Sequence, residues 1–154
     1  MVKITDEMKE VSQKTHGWAL ATVSKEGIPN VVAVGNAKIL SENEILLADN
    51  FMSKTVKNIK ENPEVAAAIW DWDNVLGYQF KGTARIEYSG EMIEEAAAVD
   101  MASAKSRKKN LPPEVFAKLL ERMPVLKPKA AIIITVKSIY NISPGRQTAG
   151  KLLS

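Results

Sequence analysis

The stretch Ala48-Asp49-Asn50-Phe51-Met52-Ser53-Lys54-Thr55 holds the residue types of an anion site. The apolar run at 45–49 is expected to be a strand. It leads into residues 53–62, where Val56 and Ile59 are three apart among Lys and Asn, the pattern of a short surface helix that Pro63 stops. The first turn of a helix offers backbone N–H groups without intrahelical partners, and two hydroxyls and an ammonium beside them would suit a dianionic phosphate. The same residues equally suit a plain helix start, with Ser53 as N-cap and Lys54 in water. These residues alone leave both open.

Other chemistries find less support. His16 is the only histidine and sits beside Gly17, and the acidic pairs Glu94-Glu95 and Asp71, Asp73 lack a partner set for acid–base work. No HExxH, GxSxG, P-loop or EF-hand spacing occurs, so no metal site or nucleophilic triad is expected. With no Cys, disulfides, thiolate ligands and Cys nucleophiles are excluded, and redox chemistry would need a cofactor. The basic run Lys105, Arg107, Lys108, Lys109 could meet phosphates, but no aromatic stacking platform accompanies it, and it reads as a solvated stretch rather than a nucleic-acid surface. Trp18, Trp70 and Trp72 are expected on strands, where a barrel core or a subunit seam accounts for them.

The elements that must position these residues follow from periodicity. A short helix from Thr5 to Gln13 is capped by Thr5 and ended by Gly17. Residues 18–24 and 30–40, separated by Lys25-Glu26-Gly27, read as a hairpin, and 65–72 and 77–88 as further strands. In the last of these, Gln79, Lys81, Thr83, Arg85 and Glu87 alternate with Tyr78, Phe80, Gly82, Ala84 and Ile86, giving one wet and one packed face. An insert at 91–127 carries helices at 91–104 and 113–122, joined by a basic loop at 103–112 that is expected to be mobile and cut first by trypsin. Residues 130–136 form another strand and 140–142 an edge strand.

Short strands, tight turns and outlying helices suggest a small antiparallel barrel. Runs such as Val65-Ala66-Ala67-Ala68-Ile69 are apolar on both faces, so helices or a second subunit must cover the outside. The 154 residues amount to one domain, 1–154, able to bury roughly two-thirds of its surface. Net charge is +3, divided as −3 over residues 1–77 and +6 over 78–154. No apolar run reaches membrane-spanning length, and a soluble, unprocessed, cytoplasmic protein is expected.

Four segments in order resemble the FMN-binding split-barrel family related to pyridoxamine 5′-phosphate oxidase. They are 19–30, like its opening hairpin; 48–72, with an Asn-aromatic-x-Ser-Lys stretch, the Asn62-Pro63 stop and a strand ending in Trp; Phe80-Lys-Gly-Thr-Ala84; and 140–145. The resemblance implies a mainly β, α+β fold: a six-stranded antiparallel split β-barrel with flanking helices and the insert at 91–127. It also implies a homodimer with FMN at the interface. Ser53, Lys54 and Thr55 would bind the phosphate, the backbone of Ala33, Val34 and Gly35 would face the ring or ribityl chain, and Ala48, Asp49 and Asn50 would line the same cleft.

The sequence also departs from the vitamin B6 oxidases proper. Asn30 and Gly35 stand where their ring-facing strand begins with Arg and ends with Lys, and residues 146–154 lack their substrate-binding Arg and aromatic side chains. The resemblance is closer to the small FMN-binding branch. The implied activity is that of an FMN-dependent oxidoreductase or flavin reductase acting on a small molecule or nicotinamide, with no catalytic residue assigned. A non-catalytic FMN carrier or electron-transfer protein, or an F420-binding relative, remains the alternative.

Overall fold

The computed structural model describes residues 2–123 and 127–153. Thr5 opens α1 (Asp6–Lys14), its hydroxyl accepting the Met8 N–H at 3.4 Å. The hairpin follows as β1 (Trp18–Val23) and β2 (Pro29–Val34), with Gly27 at φ 83 in the turn, a left-handed conformation that costs glycine little.

The expected strand at 30–40 is divided. β2 stops at Val34, and β3 (Ala37–Ile39) begins after Gly35 and Asn36, because the chain there passes from one edge of the sheet to the other. Adding β4 (Glu44–Asp49), β5 (Glu64–Asp71), β6 (Leu76–Glu87) and β7 (Ala130–Asn141), the order is β2-β1-β5-β6-β7-β4-β3, with antiparallel pairing throughout. Its two ends, β2 and β3, share no ladder among the described residues and are joined by the Gly35-Asn36 link, so the curled sheet is a split barrel. A short β8 (Lys151–Leu152) pairs with β7 and, with the divided strand, brings the count to eight rather than six.

Residues 130–136 and 140–142, expected as separate strands, belong to the continuous β7. Lys137 is squeezed out as a bulge between the pairs Lys81↔Ser138 and Gly82↔Val136. Gly82 makes this possible, since a Cβ there would run into the Thr135 carbonyl.

The barrel is filled by Leu20, Ile45, Leu47, Ile69, Phe80, Ile132, Ile134 and Ile139. Met8 and Val11 of α1 and Ile59 of α2 (Lys54–Glu61) pack on the same core. Trp18 is buried and stacks on Phe80 at 6.0 Å. Trp70 is exposed on β5, and Trp72 lies beyond that strand, in the turn held by the Asp71 carboxylate through the N–H groups of Asp73 and Asn74.

The insert holds α3 (Glu91–Asn110) and α4 (Pro113–Arg122); residues 124–126 of the expected 91–127 span lie outside the described residues. The loop expected at 103–112 is mostly helical. Arg107, Lys108 and Lys109 occupy the last turn of α3, where cations complement the negative end of the helix dipole and no Pro intervenes until residue 112. Ala96 and Val99 of α3 cover Leu46, Ala48, Ala131 and Ile133 on the outside of β4 and β7.

Candidate functional site

Where the chain leaves β2, it faces the link from β4 to α2 across a cleft of about 450 Å³. One wall is Val32 to Asn36, the second Ala48 and Asn50 to Met52, and the third comes from the insert as Arg107, Leu119 and Met123. The lining is mostly apolar with a few polar groups, the usual make-up of a small-molecule site.

Five of the nine sequence-predicted site residues meet here: Ala33, Val34, Gly35, Ala48 and Asn50. Asp49 is adjacent in the chain and outside the lining. It is buried, its Oδ1 accepts the Met52 N–H at 2.8 Å, and Lys129 Nζ is 3.9 Å away. Burial pushes its carboxyl above the usual carboxylate range against the opposing pull of that N–H and of Lys129.

Ser53 and Lys54 are exposed at the start of α2, directly after Met52 of the cleft wall. The Ser53 hydroxyl makes no capping bond, so the first-turn N–H groups keep no side-chain cap. Thr55 is placed differently. It is buried, and its hydroxyl accepts from Asn30 Nδ2 at 3.2 Å; Thr22 Oγ1 accepts from Asn30 and from Asn58 at 3.3 and 3.0 Å. Asn30 thereby ties α2 to the β1–β2 hairpin.

Sequence reasoning missed the polar centre of the cleft. Asp100 of α3 is fully buried, and its Oδ1 accepts from Asn36 Nδ2 at 2.5 Å and from Asn50 Nδ2 at 3.2 Å. Arg107 donates to Asn36 Oδ1 at 2.9 Å. Asn50 Oδ1 and Asp100 Oδ2 are buried without a protein partner. The available signal was helical spacing: Ala96, Asp100 and Arg107 are four and seven residues apart, so an acid and a cation share the apolar face. Gly35 and Arg107 also border a second cavity of about 720 Å³ that includes His16, Trp18 and Lys38. Among the described residues no three His, Asp or Glu gather as metal ligands, and no helix is long and apolar enough to cross a membrane.

The family model described as pyridoxamine 5′-phosphate oxidase matches residues 4–143. The chain belongs to the pyridoxamine 5′-phosphate oxidase family. It is 39% identical to the uncharacterized protein MJ0282 of Methanocaldococcus jannaschii, over all of this chain and 90% of that one. Among solved structures it is similar to HupZ of Group A Streptococcus, with 27% identity, 96% and 98% of the two chains covered and a TM-score of 0.68. An FMN-binding protein of Syntrophomonas wolfei shares the fold at 16% identity, covering 88% and 83%, with a TM-score of 0.65.

Proposed function

We propose that this family member is an FMN-binding flavoprotein that works as a homodimer and acts as an oxidoreductase or flavin reductase on a small molecule or nicotinamide. The observation that carries the reading is the cleft, where Ala33 and Val34 of β2 and Gly35 just after it face Ala48 and Asn50 beside the uncapped start of α2. The residues suit the group. Ser53, Lys54 and the first-turn N–H groups form a donor set for a dianionic phosphate, and the apolar walls suit a planar ring. Asn50 Oδ1 is a buried acceptor in want of a donor. Thr55, whose hydroxyl is engaged by Asn30, contributes through its backbone position in the first turn. Bound FMN supplies two-electron or one-electron transfer, and the chain supplies position and water exclusion.

A second copy of the chain has a surface to sit on. Cross-strand pairing puts Ala33 beside Ala19 and Ala68, and Val31 beside Ala21 and Ala66, on one outer face of β2, β1 and β5. Val31 and Trp70 on this face are exposed. An exposed apolar patch of this kind is a place for a subunit.

The test is the absorption spectrum of the purified protein, with mass spectrometry of what heat releases. A flavin spectrum and released FMN support the reading; released F420 reassigns the cofactor; colourless protein that FMN does not titrate overturns it. Bleaching by NADH or NADPH supports the oxidoreductase, and a yellow protein inert to both is the carrier.

A further inference from the structure

The polar groups of the cleft are ordered by one residue that does not itself line it. Asp100 is fully buried, and a carboxylate only accepts hydrogen bonds, so both asparagines must turn their NH2 groups toward it. For Asn36 this leaves Oδ1 facing outward, where it takes the Arg107 guanidinium. For Asn50 it leaves Oδ1 as an acceptor with no protein partner, in a residue of the cleft wall.

We propose that Asp100 is a positioning residue that fixes the cleft's recognition pair, Arg107 as donor and Asn50 Oδ1 as acceptor, for a ligand edge carrying a carbonyl beside an N–H. The inference rests on the flavin reading above. The imide of an oxidised isoalloxazine is such an edge, and N3–H is the only N–H on that ring. A bare buried acceptor disfavours any ligand that cannot donate to it, so the pair selects as well as binds. The arrangement belongs to the insert, because both Asp100 and Arg107 lie on α3.

The test compares FMN with N3-methyl-FMN, which keeps phosphate, ribityl chain and ring but cannot donate at N3. Binding is followed by flavin fluorescence on the native protein and on Asn50→Ala and Asp100→Asn, whose folding is checked by circular dichroism. The native protein should prefer FMN by about five- to hundred-fold, the range for one buried group left unpaired. Asn50→Ala should bring that ratio near one. Asp100→Asn should do the same with Asn50 still present, because an amide at 100 no longer dictates how the two asparagines turn. A general loss of packing would weaken both flavins alike and leave the ratio in place. Equal affinity of the native protein for the two flavins would overturn the inference while the flavin reading stands, as would a preference undiminished in Asp100→Asn. Failure of the native protein to bind FMN at all would overturn the flavin reading instead.

Discussion

Arg107 and Gly35 share one place: the guanidinium of the first occupies the space that a side chain on the second would need. Gly35, just past the end of β2, offers bare backbone, and the cation beside it comes from α3, where Arg107 is held to Asn36 at 2.9 Å. The cation in the cleft lining is thus supplied by the insert.

That relationship separates two glycines by what they touch. An added Cβ at Gly35 meets the far end of a flexible side chain, which can swing aside, so Gly35→Ala should cost about 1 kcal/mol or less, the scale of one lost hydrogen bond. At Gly82 the Cβ meets the Thr135 carbonyl, and a backbone held in a ladder cannot step away. Gly82→Ala should cost about 1–3 kcal/mol or more. Urea titrations of both variants measure the difference. Equal losses would show that Arg107 does not rest on Gly35.

Legibility followed locality. The strand at 77–88 could be read because Gln79, Lys81, Thr83, Arg85 and Glu87 alternate with packed residues, and α2 because the Val56–Ile59 spacing marks it and Pro63 ends it. The break at Gly35-Asn36 could not, since Val31, Val32 and Val34 before it and Ile39 after it read as one β-rich run and only the edge-to-edge crossing forces the break. The cleft-wall residues Ala33, Val34, Gly35, Ala48 and Asn50 follow from the resemblance. Asp100 and Arg107 were not reached, because each bonds a residue more than sixty positions away, and within an Ala- and Lys-rich stretch both look like surface residues. The basic stretch at 105–109 looked like a loop for the same reason, its helical state depending on the C-terminal dipole and on packing that starts at Ala96.

The Ala-rich face of β2, β1 and β5 leads to a prediction on assembly. Sedimentation should give about twice 16.9 kDa for the native protein, and an obligate interface should bury well over roughly 1,000 Å². Ala68→Glu places a carboxylate in the middle of that face, beside Ala19, and should yield a folded species of single-chain mass. A native monomer, or a variant that still dimerises, would move the interface elsewhere.

Asp49 gives the pH dependence. Burial raises its carboxyl, so the folded chain holds the proton more tightly than the unfolded chain does. Its contribution therefore favours folding below the unfolded carboxylate value and is lost as pH rises through the raised one. Asp49→Asn keeps an oxygen to accept the Met52 N–H and removes the buried charge. At pH 7 it should raise Tm by roughly 1–3 °C, and the gain should fade once acid protonates the native Asp49. A lower Tm at pH 7 would mean that Lys129, 3.9 Å away, does more for the charge than burial does against it.

Lys54 tests the phosphate site itself. It is the first residue of α2, exposed, and follows a Ser53 whose hydroxyl makes no cap bond, so nothing in that turn competes with an incoming anion. A charge-assisted bond to phosphate is worth about 1.5–3 kcal/mol, and Lys54→Ala should weaken FMN binding roughly ten- to hundred-fold. Riboflavin has no phosphate, so its affinity should hardly change and the gap between the two flavins should narrow. Lys57, exposed one turn further along the same helix, is the control, and its Ala variant should bind FMN as the native protein does. Isothermal titration with both flavins on all three proteins gives the comparison. If Lys54→Ala holds FMN as tightly as the native chain, the phosphate lies elsewhere, and the assignment of Ser53 and of the first-turn N–H groups falls with it.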